Sequence, residues 1–366
     1  MGFEGPVALL LPAENLGNQM PSANLGNAMI CEATRHILKR LPARYQTEEF
    51  SFLKAPDQRE LDQINNCARA VFVGTNIFQP HVVGWKWRTE DLKQIRIPYS
   101  LYGIGYSGPV GRMPLKVCRE TRDLIEWSRK ADAIGARDPQ TVEWLKLFGA
   151  NSELIGCPVL AYPDTFPGIS LGEGRPLLAI REILMHNPDE ESKPAQRTLV
   201  NWFFKEYPNG SCVVQERADL SLLSGKQTIT DFEEIIQELS KARFVVSTRL
   251  HAGMMALAFG RPVIFIAPDT RVESFCDMMG IRSHSLTFNG LTRAVEAARR
   301  IERGDLSQLG PVTDRLDVFV RRLHYFLEQQ MTGARTKKMR QPSIAVTLLR
   351  QARARLLNSQ TGRKVP

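Results

Sequence analysis

Long hydrophobic runs are absent from this sequence of 366 residues. The longest apolar stretches, such as 6–11 and 263–267, have the length of a β-strand, whereas a membrane-spanning helix needs about 20 apolar residues. Near the amino terminus, Glu4 stands where a secretory signal carries positive charge, and the apolar segment ends at Pro12. We therefore expect a cytoplasmic protein with no cleaved leader.

Closely spaced cysteines are also missing. The six cysteines, at positions 31, 67, 118, 157, 212 and 276, lie dozens of residues apart and form no Cys-x-x-Cys pair. This spacing fits neither a disulfide framework nor a zinc site. We expect buried free thiols and no bound metal.

The formal net charge of +9 comes from residues 332–366. That segment holds nine Lys and Arg and no acid, which leaves 39 basic and 39 acidic residues elsewhere. The folded body is therefore not expected to carry the basic surface that nucleic-acid binding needs.

Residues 343–357 can form a helix with one apolar side flanked by arginines. This pattern predicts either peripheral contact with the inner face of the membrane or a solvated or packed terminus.

Short apolar runs alternate with helix-length amphipathic segments, which is typical of βα units and a parallel sheet. Predicted strands lie at 7–11, 70–73, 97–102, 133–136, 177–180, 212–215, 244–247 and 263–266. Predicted helices lie at 28–40, 115–129, 139–148, 194–207, 231–241, 252–259, 272–279, 291–303 and 312–330. The turn-rich stretch 161–176 predicts a linker. We expect an amino-terminal α/β domain over 1–165, a carboxyl-terminal α/β domain over 170–310, a closing helix over 311–331 and a basic tail over 332–366.

Residues 244–266 form the most informative segment, a complete strand, turn, helix and strand. Arg249 and His251 follow the strand at the helix amino terminus, where N–H groups and the helix dipole favour an anion. Arg249 can bind a carboxylate or phosphate, and His251 can exchange protons near neutral pH. The alternative is that Arg249 caps a neighbouring carbonyl and that His251 is structural.

Three other groups are candidates for ligand contact. Asn24, Gly26 and Asn27 follow the first strand and can bind sugar or phosphate, or can simply form a turn. His81, Trp85 and Trp87 follow the second, where indoles can stack on sugar rings or pack in the core. Gly103 and Gly105 begin a Gly-x-Gly-x-x-Gly pattern, but Pro109 and Pro114 intervene before a helix, which excludes the dinucleotide motif. The segment is then either a turn that lets a ligand approach the backbone closely or a plain loop.

Several of these motifs resemble the polysaccharide pyruvyl transferase family. The specific block is Ser247-Thr-Arg-Leu-His251, followed by Gly260-Arg-Pro-Val-Ile264 and Pro268-Asp-Thr-Arg271. Gly135-Ala-Arg-Asp138, Gly103-Ile-Gly105 and Asn24-Leu-Gly-Asn27 agree in order. The sequence departs from the family pattern at Gly74-Thr-Asn76, at Asn27 and at Cys157.

The resemblance implies two Rossmann-like domains facing across a cleft, as in GT-B-like glycosyltransferases. It implies transfer of pyruvate from phosphoenolpyruvate to a sugar as a ketal, in exopolysaccharide or other polysaccharide biosynthesis, with no cofactor. His251 would be the catalytic acid or base. The donor site would comprise Arg249, Leu250, Arg137 and Arg271, and the acceptor site would comprise Asn24, Gly26, Asn27, His81, Trp85, Gly103 and Gly105. The acceptor would be a cell-surface polysaccharide or its lipid-linked precursor. The alternatives are a nucleotide-sugar glycosyltransferase of the same architecture and a non-catalytic carbohydrate-binding relative.

Overall fold

The computed structural model describes residues 5–13, 24–80, 86–108, 116–163, 165–181, 192–216, 223–333 and 347–349. The chain divides into two compact units. The first unit comprises Met1–Ser22, Ile30–Ala161 and Val318–Pro366, and the second comprises Ala23–Met29 and Tyr162–Asp317. The residues around Asn24 therefore belong to the second unit, although the chain reaches them before most of the first.

The first unit is built on a parallel six-stranded sheet. Its strands are β1 (Val7–Leu11), β2 (Thr47–Ser51), β3 (Arg69–Val73), β4 (Tyr99–Ile104), β5 (Ala133–Ala136) and β6 (Glu153–Leu154), in the spatial order β2-β1-β3-β4-β5-β6. The helices between them are α1 (Leu25–Arg40), α2 (Gln58–Asn65), α3 (Thr89–Lys93), α4 (Arg119–Ser128) and α5 (Pro139–Leu147). The first five residues of α1 are assigned to the second unit.

Aromatic side chains fill one side of this sheet. The Phe72 ring makes edge contacts with Trp87, Tyr99 and Trp127, at centroid distances of 6.0, 6.1 and 4.9 Å. Trp87 is 3% exposed and donates its indole N–H to the carbonyl of Ser51. Trp87 is therefore a core residue, as the second of its two sequence interpretations stated.

The second unit is built on another parallel six-stranded sheet. Its strands are β7 (Leu177–Ala179), β8 (Ser211–Val213), β9 (Thr228–Ile229), β10 (Val245–Ser247), β11 (Val263–Ala267) and β12 (Ser283–Ser285). Its helices are α6 (Ser192–Glu206), α7 (Phe232–Lys241), α8 (Leu250–Ala258), α9 (Thr270–Met279) and α10 (Phe288–Glu302), and the chain then enters α11 (Val312–Thr332). Residues from Val318 onward belong to the first unit.

The strand order of the second sheet, β12-β11-β10-β7-β8-β9, has one reversal point. From β7 the chain moves outward through β8 and β9, and it then returns to the other side of β7 and moves outward through β10, β11 and β12. The carboxyl ends of β7 and β10 are therefore neighbours at the switch point. In open parallel sheets this is where ligands bind.

The α/β prediction is confirmed for both halves of the chain. Each of the eight predicted strands is present, with ends shifted by at most two residues, while β2, β6, β9, β12, α2 and α3 were not predicted. All six cysteines are free thiols, and all are buried except the partly exposed Cys118. Within the described part of the chain, no helix is both long and apolar enough to cross a membrane.

Candidate active site

Charged and polar side chains gather at the carboxyl ends of the four central strands of the second sheet. Arg181 follows β7, Glu216 follows β8, and Arg249 follows β10. Asp269 and Arg271 follow β11. These residues are far apart in sequence, and the order of the parallel strands brings them to one edge.

Arg249 is held in place from several sides. It is the N-cap residue of α8 and is 5% exposed. Its Nε donates to the carbonyl of Ile180 at 3.2 Å, and its Nη1 donates to Glu216 Oε1 at 2.9 Å. Its backbone N–H donates to the Ser247 hydroxyl, which in turn donates to the Arg249 carbonyl. The carbonyl contact is the one that the structural alternative predicted, and the ion pair adds to it.

Glu216 connects Arg249 to the start of α1. Its Oε1 also accepts a hydrogen bond from Asn24 Nδ2 at 2.7 Å. Burial raises the pKa of the Glu216 carboxyl, but the charge and hydrogen bond of Arg249, with further arginines, outweigh burial and leave the pKa below its ordinary value. Glu216 is therefore ionised at neutral pH.

Asn24 is the amino-terminal cap of α1 as well as a partner of Glu216. Its Oδ1 accepts from the Gly26 backbone N–H at 2.9 Å, and its carbonyl accepts from the Asn27 N–H at 3.0 Å. The Leu25 N–H donates to the Gln215 carbonyl at 3.0 Å, which ties this turn to the segment after β8. The structure thus brings Asn24 and Gly26 beside Arg249 and His251.

His251 lies in the first turn of α8, because the helix begins at Leu250 rather than at the predicted Ala252. The imidazole is 8% exposed and packs against α1, so that a methyl group at position 26 would lie 2.7 Å from Nδ1. The preceding residue, Leu250, which belongs to the predicted donor site, is also buried, at 5% exposure. The histidine therefore lies where the amino-terminal turns of α1 and α8 meet.

A second charged group surrounds Asp269. Arg271 binds this carboxylate with Nε and Nη2, at 2.9 and 2.5 Å, and Arg181 Nη1 lies 3.6 Å from Oδ2. Burial raises the pKa of Asp269, but Arg271 and Arg181 outweigh burial and lower it to about 2. Burial, together with Arg271 and Arg249, lowers the pKa of Arg181 to about 10. Electrostatic coupling thus extends across Arg181, Arg249, Arg271 and the two carboxylates, with one net positive charge.

Arg137 lies in the first unit and is 1% exposed. Its guanidinium donates to Asn76 Oδ1, to the Tyr106 carbonyl at 3.4 Å and to Asp138 Oδ2 at 3.3 Å. Asp138 caps α5 by accepting from the Thr141 N–H, with Pro139 at the first helical position as predicted. Asn76, one of the departures from the family pattern, is therefore a direct partner of Arg137.

Packing accounts for Gly103 and Gly105. Gly103 has φ +69°, and a methyl group there would lie 2.6 Å from Pro158 Cδ. A methyl group at Gly105 would overlap the Arg137 guanidinium. The predicted acceptor role of these glycines stays a prediction, and His81 and Trp85 lie outside the described residues.

Sequence reasoning missed three residues of the second unit: Arg181, Glu216 and Asp269. Each comes directly or closely after a strand, the same signal that identified Arg249. Asp269 was quoted only as part of a motif, and Arg181 and Glu216 carry no motif of their own. The rule that ligands bind beyond strand ends would have selected all three.

Comparison with solved structures shows the class of fold. S. aureus MnaA, solved with UDP, has a TM-score of 0.53 at 10% identity, and the match covers 88% of this chain and 97% of that one. The Neisseria meningitidis UDP-GlcNAc 2-epimerase, solved with UDP-GlcNAc, has a TM-score of 0.52 at 11% identity, covering 89% of this chain and 99% of that one. At such low identity the likeness establishes the fold alone: two Rossmann-like halves of the GT-B-like kind.

The family follows from the sequence match. The family model for polysaccharide pyruvyl transferase matches residues 24–270, more than half of the chain. The chain therefore belongs to the polysaccharide pyruvyl transferase family and is a transferase of polysaccharide biosynthesis, which confirms the predicted resemblance. No curated protein matches it significantly.

Proposed function

We propose that this protein transfers pyruvate from phosphoenolpyruvate to a sugar of a cell-surface polysaccharide or its lipid-linked precursor and forms a pyruvate ketal. The observation that supports this most directly is the pairing of a fixed arginine, Arg249, with a histidine, His251, in the first turn of α8 at the switch point of the second sheet. The family match includes both residues.

The ketal reaction places specific demands on such a site. Two sugar hydroxyl oxygens bond to the central carbon of the donor, and its bond to the phosphate oxygen breaks. Of the two hydroxyl hydrogens, one ends on the methylene carbon, which becomes a methyl group, and the other on the released phosphate. A general acid or base assists these transfers, usually by about 10² to 10⁴ in rate, and His251 is the residue we assign to this role.

Donor binding requires cations for a carboxylate and a phosphate. Arg249 and Arg271 both act electrostatically on Arg181, and these three arginines with Glu216 and Asp269 carry a net positive charge. Guanidinium groups suit planar and tetrahedral oxyanions better than lysine does. Arg249 and Arg271 are therefore the proposed donor contacts of this unit, while the donor role of Arg137 stays a prediction from the family resemblance.

One alternative has an observation in its favour. Two proteins of the same fold were solved with UDP or UDP-GlcNAc. A nucleotide-sugar glycosyltransferase would use the same arginines to bind a diphosphate. This alternative predicts stabilisation by a UDP-sugar instead of phosphoenolpyruvate.

The decisive experiment has a binding and a turnover arm. Phosphoenolpyruvate and UDP-sugars are compared by thermal shift, where a ligand at 100 times its Kd adds about 2.7 kcal/mol of stability. Turnover is followed as acceptor-dependent phosphate release and as the ketal methyl signal by NMR. We expect His251→Gln to abolish turnover and His324→Gln, in α11 of the first unit, to retain it. Stabilisation by UDP-sugars alone would reject the proposal.

A further inference from the structure

Arg181 occupies the switch point of the second sheet. It lies two residues beyond the end of β7, and β7 is the strand that pairs with β10. Its backbone N–H donates to Thr248 Oγ1 at 2.8 Å, and its carbonyl accepts from Gln196 Nε2, a side chain that is 1% exposed. Hydrogen bonds to both the backbone N–H and the backbone carbonyl of Arg181 thus fix the position of its Cα atom.

The Arg181 guanidinium is partly exposed and is paired only weakly within the described part of the protein. Its side chain is 19% exposed, and its only recorded contact among the described residues is the 3.6 Å approach of Nη1 to Asp269 Oδ2. That distance exceeds a hydrogen bond. Arg271 already binds both oxygens of the same carboxylate. A guanidinium has five N–H donors, and the 19% exposure of the Arg181 side chain leaves them accessible to a ligand.

The neighbours of Arg181 favour an anion. Arg249 Nε donates to the carbonyl of Ile180, the residue immediately before Arg181. Arg249 and Arg271 both repel the Arg181 charge, and among the described residues two carboxylates, Glu216 and Asp269, offset the three guanidinium groups. A bound dianion would relieve this repulsion and accept hydrogen bonds from the N–H groups of Arg181.

We propose that Arg181 binds the phosphoryl group of the donor together with Arg249, beyond the neighbouring carboxyl ends of β7 and β10. A phosphoryl group is favoured over a carboxylate because it offers three acceptor oxygens and about two charges to two guanidinium groups. The identity of the donor as phosphoenolpyruvate rests on the proposed function. The shared chemistry is a phosphoryl group, which phosphoenolpyruvate or the diphosphate of a nucleotide sugar would supply.

The test compares wild type with Arg181→Gln, Arg181→Lys and a control, Arg299→Gln, which removes a surface arginine of the same unit. Calorimetry measures the affinity of each full-length protein for phosphoenolpyruvate, inorganic phosphate, pyruvate and a UDP-sugar. We expect Arg181→Gln to weaken phosphoenolpyruvate and phosphate binding by about 10- to 100-fold, the usual cost of a charged hydrogen-bond pair. Pyruvate affinity should change much less, and the control should match wild type.

Arg181→Lys keeps the charge but loses the fork, so we expect an intermediate loss. If Arg181→Gln fails to fold, this variant decides the matter, and wild-type affinity for phosphate in it would overturn the proposal.

The outcomes separate this inference from the proposed function. If wild type binds phosphoenolpyruvate and Arg181→Gln binds it equally well, the role of Arg181 is rejected and the proposed donor stands. If wild type binds only the UDP-sugar, and does so through Arg181, the proposed donor is rejected and Arg181 stands. If wild type binds none of the phosphoryl compounds, both are rejected.

Discussion

Gly26 packs directly against the imidazole of His251. A methyl group at position 26 would lie 2.7 Å from His251 Nδ1 and 3.0 Å from Asn24 Oδ1. The first distance is shorter than Cβ atoms allow and the second is at the lower limit, so the absence of a side chain at the second residue of α1 allows the histidine its position. The glycine of the Asn24-Leu-Gly-Asn27 motif is thereby explained by a neighbour that is 225 positions away in the sequence.

Gly26→Ala should therefore lower turnover much more than it lowers stability. Alanine favours a helix over glycine by up to about 1 kcal/mol, whereas displacing a catalytic group by about 1 Å can cost on the order of 100-fold in rate. The measurements are kcat and the free energy of unfolding in urea. Gly310→Ala is the control, because a methyl group there meets only Ser307 O, at 3.4 Å. Wild-type kcat in Gly26→Ala would show that His251 does not depend on this contact.

Arg249→Lys should raise the donor KM by about tenfold or more, although the charge is kept. Lysine has one nitrogen and cannot contact the Ile180 carbonyl and Glu216 from the two positions that Nε and Nη1 occupy. Steady-state kinetics with varied donor concentration measures the effect, with Arg299→Lys as the matched surface control. An unchanged KM would argue against an oxyanion contact at Arg249.

Gly105→Ala should destabilise the first unit. The new methyl group would overlap the Arg137 guanidinium, which is buried among Asn76, Asp138 and Tyr106. Overpacking of this kind usually costs about 1–3 kcal/mol, and urea unfolding measures it.

Arg137→Lys then tests the predicted donor role. A raised donor KM at unchanged stability would support that role, and lower stability with wild-type KM would show that Arg137 only organises the first unit.

His284 should make the second unit less stable in mild acid. Burial, aided by Arg282 and Arg293, lowers its pKa from 6.5 to about 4. Between these values the unfolded chain binds a proton that the folded chain does not, so stability is lost as pH falls below 6.5. The loss from this group between pH 6.5 and 5 is about 2 kcal/mol. His284→Leu should remove that part of the pH dependence in denaturant titrations, and identical pH profiles of the two proteins would contradict the assignment.

The basic tail carries the last prediction. Of the helix predicted at 343–357, the structure describes residues 347–349, which are helical, with Leu348 3% exposed. Because Leu348 belongs to the predicted apolar side, its burial favours packing on protein, while membrane contact remains an untested prediction. Membrane contact requires salt-sensitive cosedimentation of the full chain, but not of a chain ending at residue 333, with anionic liposomes. Equal sedimentation of both would reject it.

The strands that sequence patterns predicted are the interior strands of the two sheets, and the four that they missed, β2, β6, β9 and β12, are the sheet edges. An interior strand of a parallel sheet is covered on both faces and reads as a continuous apolar run. An edge strand is covered less and is often short or polar. Thr47–Ser51 contains two glutamates, and Ser283–Ser285 contains a histidine between two serines. Neither has a pattern that distinguishes it from a loop.

The candidate site divides in the same way. The sequence by itself identified Arg249 and His251, because a strand, a helix start and both side chains are neighbours along the chain. Only the tertiary structure placed Arg181, Glu216 and Asp269 at the same edge of the sheet and assigned the turn at Asn24 to the second unit. The physical reason is that local patterns determine where a strand ends, whereas the order of strands in a sheet is set by pairing between distant segments, and that order decides which strand ends meet.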